Sequence, residues 1–221
     1  MSWKKLSLLL TASLIWLVSC SSGPSTVEKM YEHMEEAVSL EQSFADQQQP
    51  LVELEQQEKD IYQQVINLGL EEIDQVKELS EQAITIINER AELIETEEAS
   101  ITAAKDEFDK IQPLIEEIEE EEVKTQAEEL YQTMEDRYQA YTALNEAYVA
   151  SLELDKQLYE MLQREDLTEE ELTTHIDSIN SSYEEVIAAN EQFNAKTDEY
   201  NNMKEQFYSQ AGLDVEYSEA E

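Results

Sequence analysis

The sharpest chemistry in the sequence belongs to Cys20, the one cysteine among 221 residues. It can form no disulfide within the chain. It closes Leu17-Val18-Ser19-Cys20, the aliphatic, tolerant, small, Cys order of a bacterial lipobox. The residues ahead of it fit a signal peptide. Lys4 and Lys5 supply a positive start, and Leu6 to Val18 is an apolar run interrupted only by Ser and Thr, too short to span a bilayer comfortably. At such a site the cysteine becomes the first mature residue and carries a diacylglyceryl thioether. Each buried CH₂ contributes about 0.8 kcal/mol, and two acyl chains suffice for stable anchoring. Cys20 therefore reads as a lipid anchor and not as a catalytic thiol.

The remaining candidates are weaker. His33 lies among Glu32, Glu35 and Glu36, and His175 has Glu171 four residues earlier on the same helical face. A His with a nearby carboxylate can bind a divalent metal, but structural sites use four ligands. In a chain with 53 acidic residues a carboxylate beside any His is expected by chance, so no metal ligand and no cofactor is assigned. The densest charge is Glu116-Glu117 with Glu119, Glu120, Glu121 and Glu122. Hard cations such as Ca²⁺ favour oxygen ligands, which makes divalent cations candidate partners, although a solvated helix start accounts for the same run. Among eleven tyrosines, Tyr131 and Tyr208 fall off the apolar seams and are expected at the surface, where rings stack on sugars or form interfaces. No Ser-His-Asp set, phosphate-binding glycine loop or Cys-His pair is present. The expectation is a protein that is not an enzyme.

Charge narrows the partners. With 14 basic against 53 acidic residues the net charge is −39, and removal of Lys4 and Lys5 makes it more negative. Nucleic acid is excluded, because phosphate contacts require Lys and Arg. An anionic membrane surface repels the body of the chain. Attraction is left for cations, basic peptides and basic protein patches, beside the general effect of charge on solubility.

These residues must be carried by helices. Glycine and proline number three each, against a β-rich fold. Leu172, Ile179, Val186, Phe193, Tyr200 and Phe207 recur every seven residues, beside a second seam, Ile176, Tyr183, Asn190, Thr197 and Lys204, that decays from apolar to polar. Upstream, Ile73 to Phe108 repeats in the same way, with Val76, Ala83, Arg90, Glu97, Ala104 and Ile111 on its second seam. That phase runs to Ile118, past Pro113, where a kink is expected. Ser25 with Glu28 and Thr168 with Glu171 are capping boxes, and Gly69 and Gly212 are stops. Pro50 predicts a kink or break in the first helix.

The spacing predicts an all-α, elongated antiparallel bundle of about four helices with coiled-coil-like packing, over 26–68, 70–118, 121–165 and 168–211, each about 65 Å long. A hairpin is expected near Glu119 to Glu122; the alternative is one rod through 70–165. The domains are then a signal at 1–19, a tether at 20–25, the bundle at 26–211 and an acidic tail at 212–221. Heptads could also pair between chains.

The layout resembles the YkyA-like family of Gram-positive lipoproteins named for cell-wall binding. The resemblance runs from Cys20 through Ile111-Gln112-Pro113-Leu114-Ile115 and Arg137-Tyr138-Gln139-Ala140-Tyr141 to the last helix. It implies a location on the extracytoplasmic face of the cell membrane and no catalytic residues. The reading is a lipid-anchored, non-catalytic surface protein that binds cell wall polymer or another envelope component. The alternative is an accessory lipoprotein that pairs with the extracytoplasmic part of a membrane protein complex.

Overall fold

The computed structural model describes residues 24–68 and 72–213. Cys20 with everything before it, Gly69 and the tail from residue 214 lie outside that description. The described chain is helical: α1 (Thr26–Leu40), α2 (Gln42–Ile66), α3 (Ile73–Phe108), α4 (Ile111–Ile115), α5 (Glu121–Leu162) and α6 (Glu169–Gln210). Among these residues no helix is long and apolar enough to cross a membrane.

Both capping boxes form. Ser25 caps α1 with Glu28, and Thr168 caps α6 with Glu171. Gly212 takes φ +71°, which lets Leu213 N–H donate to Tyr208 C=O at 3.0 Å and close the last turn of α6. The hairpin after α4 is present: residues 116–120 turn the chain into α5, so 70–165 is not one rod.

Neither proline ends its helix, and the breaks fall elsewhere. α2 runs through Pro50, and the first long helix breaks at Glu41 instead. The cause is Ser100 on α3, which no local signal in the first helix announces. Its Oγ donates to Leu40 C=O at 2.7 Å and accepts from Phe44 N–H at 3.1 Å, so a hydroxyl replaces one rung of the helical ladder. The second helix does not continue past Pro113. α3 ends at Phe108, and Lys110 and Gln112 N–H donate to Glu107 and Asp109 C=O, three residues back, at 3.2 and 3.1 Å. Pro113 thereby falls in the first turn of α4, where its missing N–H costs no helical bond.

Neighbouring helices run antiparallel, as the cross-helix pairs show. His33 meets Glu107 and Glu58 meets Arg90 between the first two arms. Lys105 meets Glu135 and Arg90 meets Tyr148 between α3 and α5. Tyr183 meets Asp155 and Thr197 meets Arg137 between α5 and α6. The core is in two parts. One, at the end holding the start of α1, α4 and the end of α6, is dense in rings, with Phe108, Tyr138, Tyr141, Phe193, Tyr200 and Phe207 buried among methionines and alanines. The other, around Ile61, Val65, Leu79, Ile87, Leu152 and Tyr159, is smaller and mostly aliphatic.

Ring size sets how α6 meets the first arm. Near the ring-rich end, Tyr208 lies edge-on to Tyr31 at 5.2 Å, and Phe44 sits edge-on to Phe193 at 5.9 Å, so large side chains fill the space between α1, α2 and α6. Further along α6 the facing seam residues are Val186, Ile179, Ile176 and Leu172. They are too short to bridge the same gap, and all four remain only half-buried.

Candidate functional site

The unfilled gap between α2 and α6 is a cleft. Three hollows of about 680, 500 and 790 Å³ follow one another along it. The first two share Glu55, Tyr148 and Val186, and the last two share Tyr62, Leu158 and Ile176, so they are stretches of one trough. On α6 it extends from Leu172 to Thr197, about 37 Å at 1.5 Å per residue. Among the described residues the three most exposed large aliphatic side chains, Val52 (63%), Ile66 (59%) and Ile187 (59%), all line it. Exposed apolar side chains gathered in one concave place mark a binding surface more often than chance scatter does.

The floor holds charge that was moved out of water. Arg90 on α3 is 1% exposed. Its guanidinium donates to Tyr148 Oη at 2.8 Å and to Glu58, and lies 3.7 Å from Asp155. Tyr148 donates onward to Glu55 at 2.7 Å, and Tyr183 to Asp155 at 2.6 Å. Two buried carboxylates therefore share one guanidinium. Burial, then repulsion from Asp155, pushes Glu58 up to about 7 against the pull of Arg90. Burial likewise raises Asp155, although Tyr183 and Arg90 oppose it. Arg90 itself stays charged, because the surrounding oxygens outweigh the desolvation that acts against it.

Further along, Arg137 on α5 has one partner in an ideal fork: its two terminal nitrogens meet the two oxygens of Glu41 at 2.6 and 2.7 Å. Its Nε donates to Thr197 at 3.0 Å, and the guanidinium lies 5.1 Å from the Phe193 ring centroid. Glu97 differs from both. It is buried on the wall of the first hollow, it receives the Gln48 amide at 2.5 Å, and among the described residues no cation pairs with it. Burial pushes it up to about 7 from an ordinary 4.5.

The family model described as "Putative cell-wall binding lipoprotein" (YkyA) matches residues 25–210. The chain belongs to the YkyA family. Within it, the chain is 32% identical over 196 residues to "Uncharacterized lipoprotein YkyA" of Bacillus subtilis (strain 168), a match that spans 89% of this chain and 88% of that protein. A 1.6 Å crystal structure of a conserved protein of unknown function from Staphylococcus aureus superposes with a TM-score of 0.72, over 85% of this chain and 98% of that one. At 13% identity this second likeness concerns the fold alone.

The expected site residues of this YkyA-family chain are not brought together. Cys20 lies outside the described residues. Tyr208, expected at the surface, is 1% exposed and donates to Glu35 at 2.9 Å. It is off the seam toward α5 but faces α1, so it is core. Tyr131 is half-buried, stacked on Phe108 at 5.7 Å, and donates to Asp109 at 3.1 Å. Tyr208 is therefore not a surface ring, and Tyr131 is exposed only in part. Glu119, Glu120, Glu121 and Glu122 are exposed, the last two in the first turn of α5, where carboxylates favour the helix dipole. They sit at the end of the bundle where Thr26 hydrogen-bonds Glu117, away from the cleft. His33 meets Glu107 at 2.7 Å, and His175 Nε2 meets Leu154 C=O at 2.8 Å. Among the described residues no three His, Cys, Asp or Glu side chains are grouped to hold a metal ion.

Sequence reasoning missed the cleft and its floor. A signal was there: Arg90 and Glu97 occupy a seam whose other positions on α3 are Val76, Ala83 and Ala104. A charged residue at a core register must be paired or unusually placed: Arg90 is paired, and Glu97 is unusually placed.

Proposed function

We infer that this YkyA-family lipoprotein is a non-catalytic binding protein. Its lipid on Cys20 holds it at the extracytoplasmic face of the cell membrane, and its bundle engages cell wall or another envelope component. The observation that carries this reading is the placement of the cleft. The chain enters the bundle at Thr26, at the ring-packed end, and the cleft opens toward the opposite end. α5 runs 42 residues between the two ends, about 63 Å, so an anchored molecule holds the open cleft well clear of the membrane. The shape also speaks for binding over catalysis: a long shallow trough presents contact area, and its polar groups pair with one another around Arg90 instead of converging on one point in space.

The test is retention of the full chain on purified insoluble cell wall, with and without teichoic acid, in Ca²⁺ or Mg²⁺ against a chelator. Saturable retention supports the wall as ligand, and cation dependence assigns bridging between two anionic surfaces. No retention under any condition removes the wall and leaves an envelope protein. The aliphatic lining of the cleft favours that second reading, in which the chain is an accessory lipoprotein paired with the extracytoplasmic part of a membrane protein complex.

A further inference from the structure

The cleft has a chemistry that selects among envelope components. Its walls are aliphatic where they are most exposed, at Val52 and Ile187. A neutral glycan needs paired donors and acceptors across its length, and unpaired polar groups laid on such walls lose water without replacement. Anionic polymers, anionic lipid and a second copy of this chain, itself at −39, are repelled. The chain's own last residues, from Asp214, are acidic as well. Attraction is left for a segment that is apolar along one side and basic at intervals.

Glu97 supplies the place for the basic group. Its carboxylate is buried at the cleft wall beside Ile94 and Tyr141 and is met by one neutral amide. The other buried carboxylates of the floor share Arg90, and Glu41 is taken by Arg137. Glu55 and Glu191 add further negative charge to the lining of the same hollow. A buried carboxylate without a cation, next to unfilled apolar volume, is half of an ion pair.

We propose that the α2–α6 cleft is a docking site for a basic amphipathic peptide segment of an envelope protein, whose apolar side chains cover Val52, Val186 and Ile187 and whose Lys or Arg reaches Glu97. This inference rests on the reading of the chain as an envelope-binding protein and names the partner of the same cleft. The length of the trough suits about seven helical turns. The segment closes the bundle where α6 alone leaves it open, in the manner of a helix laid into a groove.

The experiment titrates the full chain, held in detergent, with a fluorescent 18-residue peptide of Leu and Lys at helical spacing. Its Leu and Glu counterpart serves as the control, together with a soluble N-acetylglucosamine oligomer. Saturable binding of the basic peptide alone is expected. Glu97→Gln weakens it about tenfold, or about 1.4 kcal/mol. Val186→Phe, which fills the cleft, weakens it further, while Glu120→Gln at the far end has no effect. Circular dichroism and melting temperature establish that each variant is folded. Equal loss on Glu120→Gln and Glu97→Gln means that diffuse charge attracts the peptide, and the proposal falls. It falls too if the peptide does not bind, or if the sugar binds instead and Val186→Phe abolishes it. Failure of the basic peptide to bind a chain that is still retained on the wall overturns this docking site while leaving the broader wall-binding reading intact.

Discussion

The two buried arginines occupy similar places in adjacent stretches of the bundle and are handled differently. Arg137 is matched: one guanidinium, one bidentate Glu41, one threonine oxygen and one ring face. Arg90 is outnumbered, with Glu58, Asp155 and Glu55 around it and tyrosines relaying the contacts. The first lies at the ring-lined end of the cleft, where Phe44 and Phe193 narrow the space between α6 and the first arm, the second where aliphatic side chains leave it wider. Charge held among rings is balanced locally, because little water is left to solvate it. Beside a cleft the surplus acid is tolerated by partial hydration and by protons held near neutral pH. One half of the molecule is thus closely packed, and the other leaves apolar volume unfilled.

The contrast between sealed and open halves is tested most strongly by cavity mutations. Phe108→Ala removes a fully buried ring that touches Tyr131, Tyr138 and Tyr200, and is expected to cost about 3–5 kcal/mol in denaturant unfolding. Ile179→Ala on the half-buried wall of the cleft is expected to cost under about 1 kcal/mol. Equal costs would mean that the cleft is packed in solution.

Removing Arg90 probes the imbalance itself. Arg90→Ala leaves Glu58 and Asp155 buried without a cation, and a loss of about 3–5 kcal/mol is expected at pH 8. The loss shrinks at pH 5, where the orphaned carboxylates take up protons. A loss independent of pH would show that packing of the side chain, and not its charge, is what matters.

Glu97 gives the cleanest pH signature. Its folded value of about 7 lies above its ordinary 4.5, so the folded chain binds the extra proton between them. Stability therefore falls as pH rises from about 4.5 to about 7, by up to about 3 kcal/mol from this group. Glu97→Gln removes that slope: it matches the parent chain near pH 4 and is more stable at pH 8. Melting curves across this range decide it, and a parent chain that gains stability from pH 5 to pH 8 with no change in slope for Glu97→Gln contradicts the assignment.

The smallest effect belongs to the sealed half. The Tyr200 hydroxyl is buried with no hydrogen-bond partner among the described residues, so the ring serves as volume. Tyr200→Phe is expected to leave the fold unchanged and to raise stability by about 1 kcal/mol; destabilisation would reveal a partner for that oxygen.

The sequence by itself determined the helical architecture closely. Capping boxes at Ser25 and Thr168, the stop at Gly212 and uninterrupted heptads locate the four arms to within a few residues, because these signals act between residues at most a few positions apart. Composition and charge also set the sign of the surface that any partner meets. What only the tertiary structure decided are the features that depend on a residue distant in the chain. The break at Glu41 is made by Ser100, sixty residues away from Leu40 in sequence. Tyr208 is buried because α1 covers the side of α6 that faces away from α5. The cleft exists because ring-sized spacers at one end of α6 hold it off the first arm, while Val186, Ile179 and Ile176 at the other end do not reach across. A heptad pattern states which positions are apolar; whether the gap they face is filled depends on the summed volume of side chains from several helices, and that is settled only when they pack.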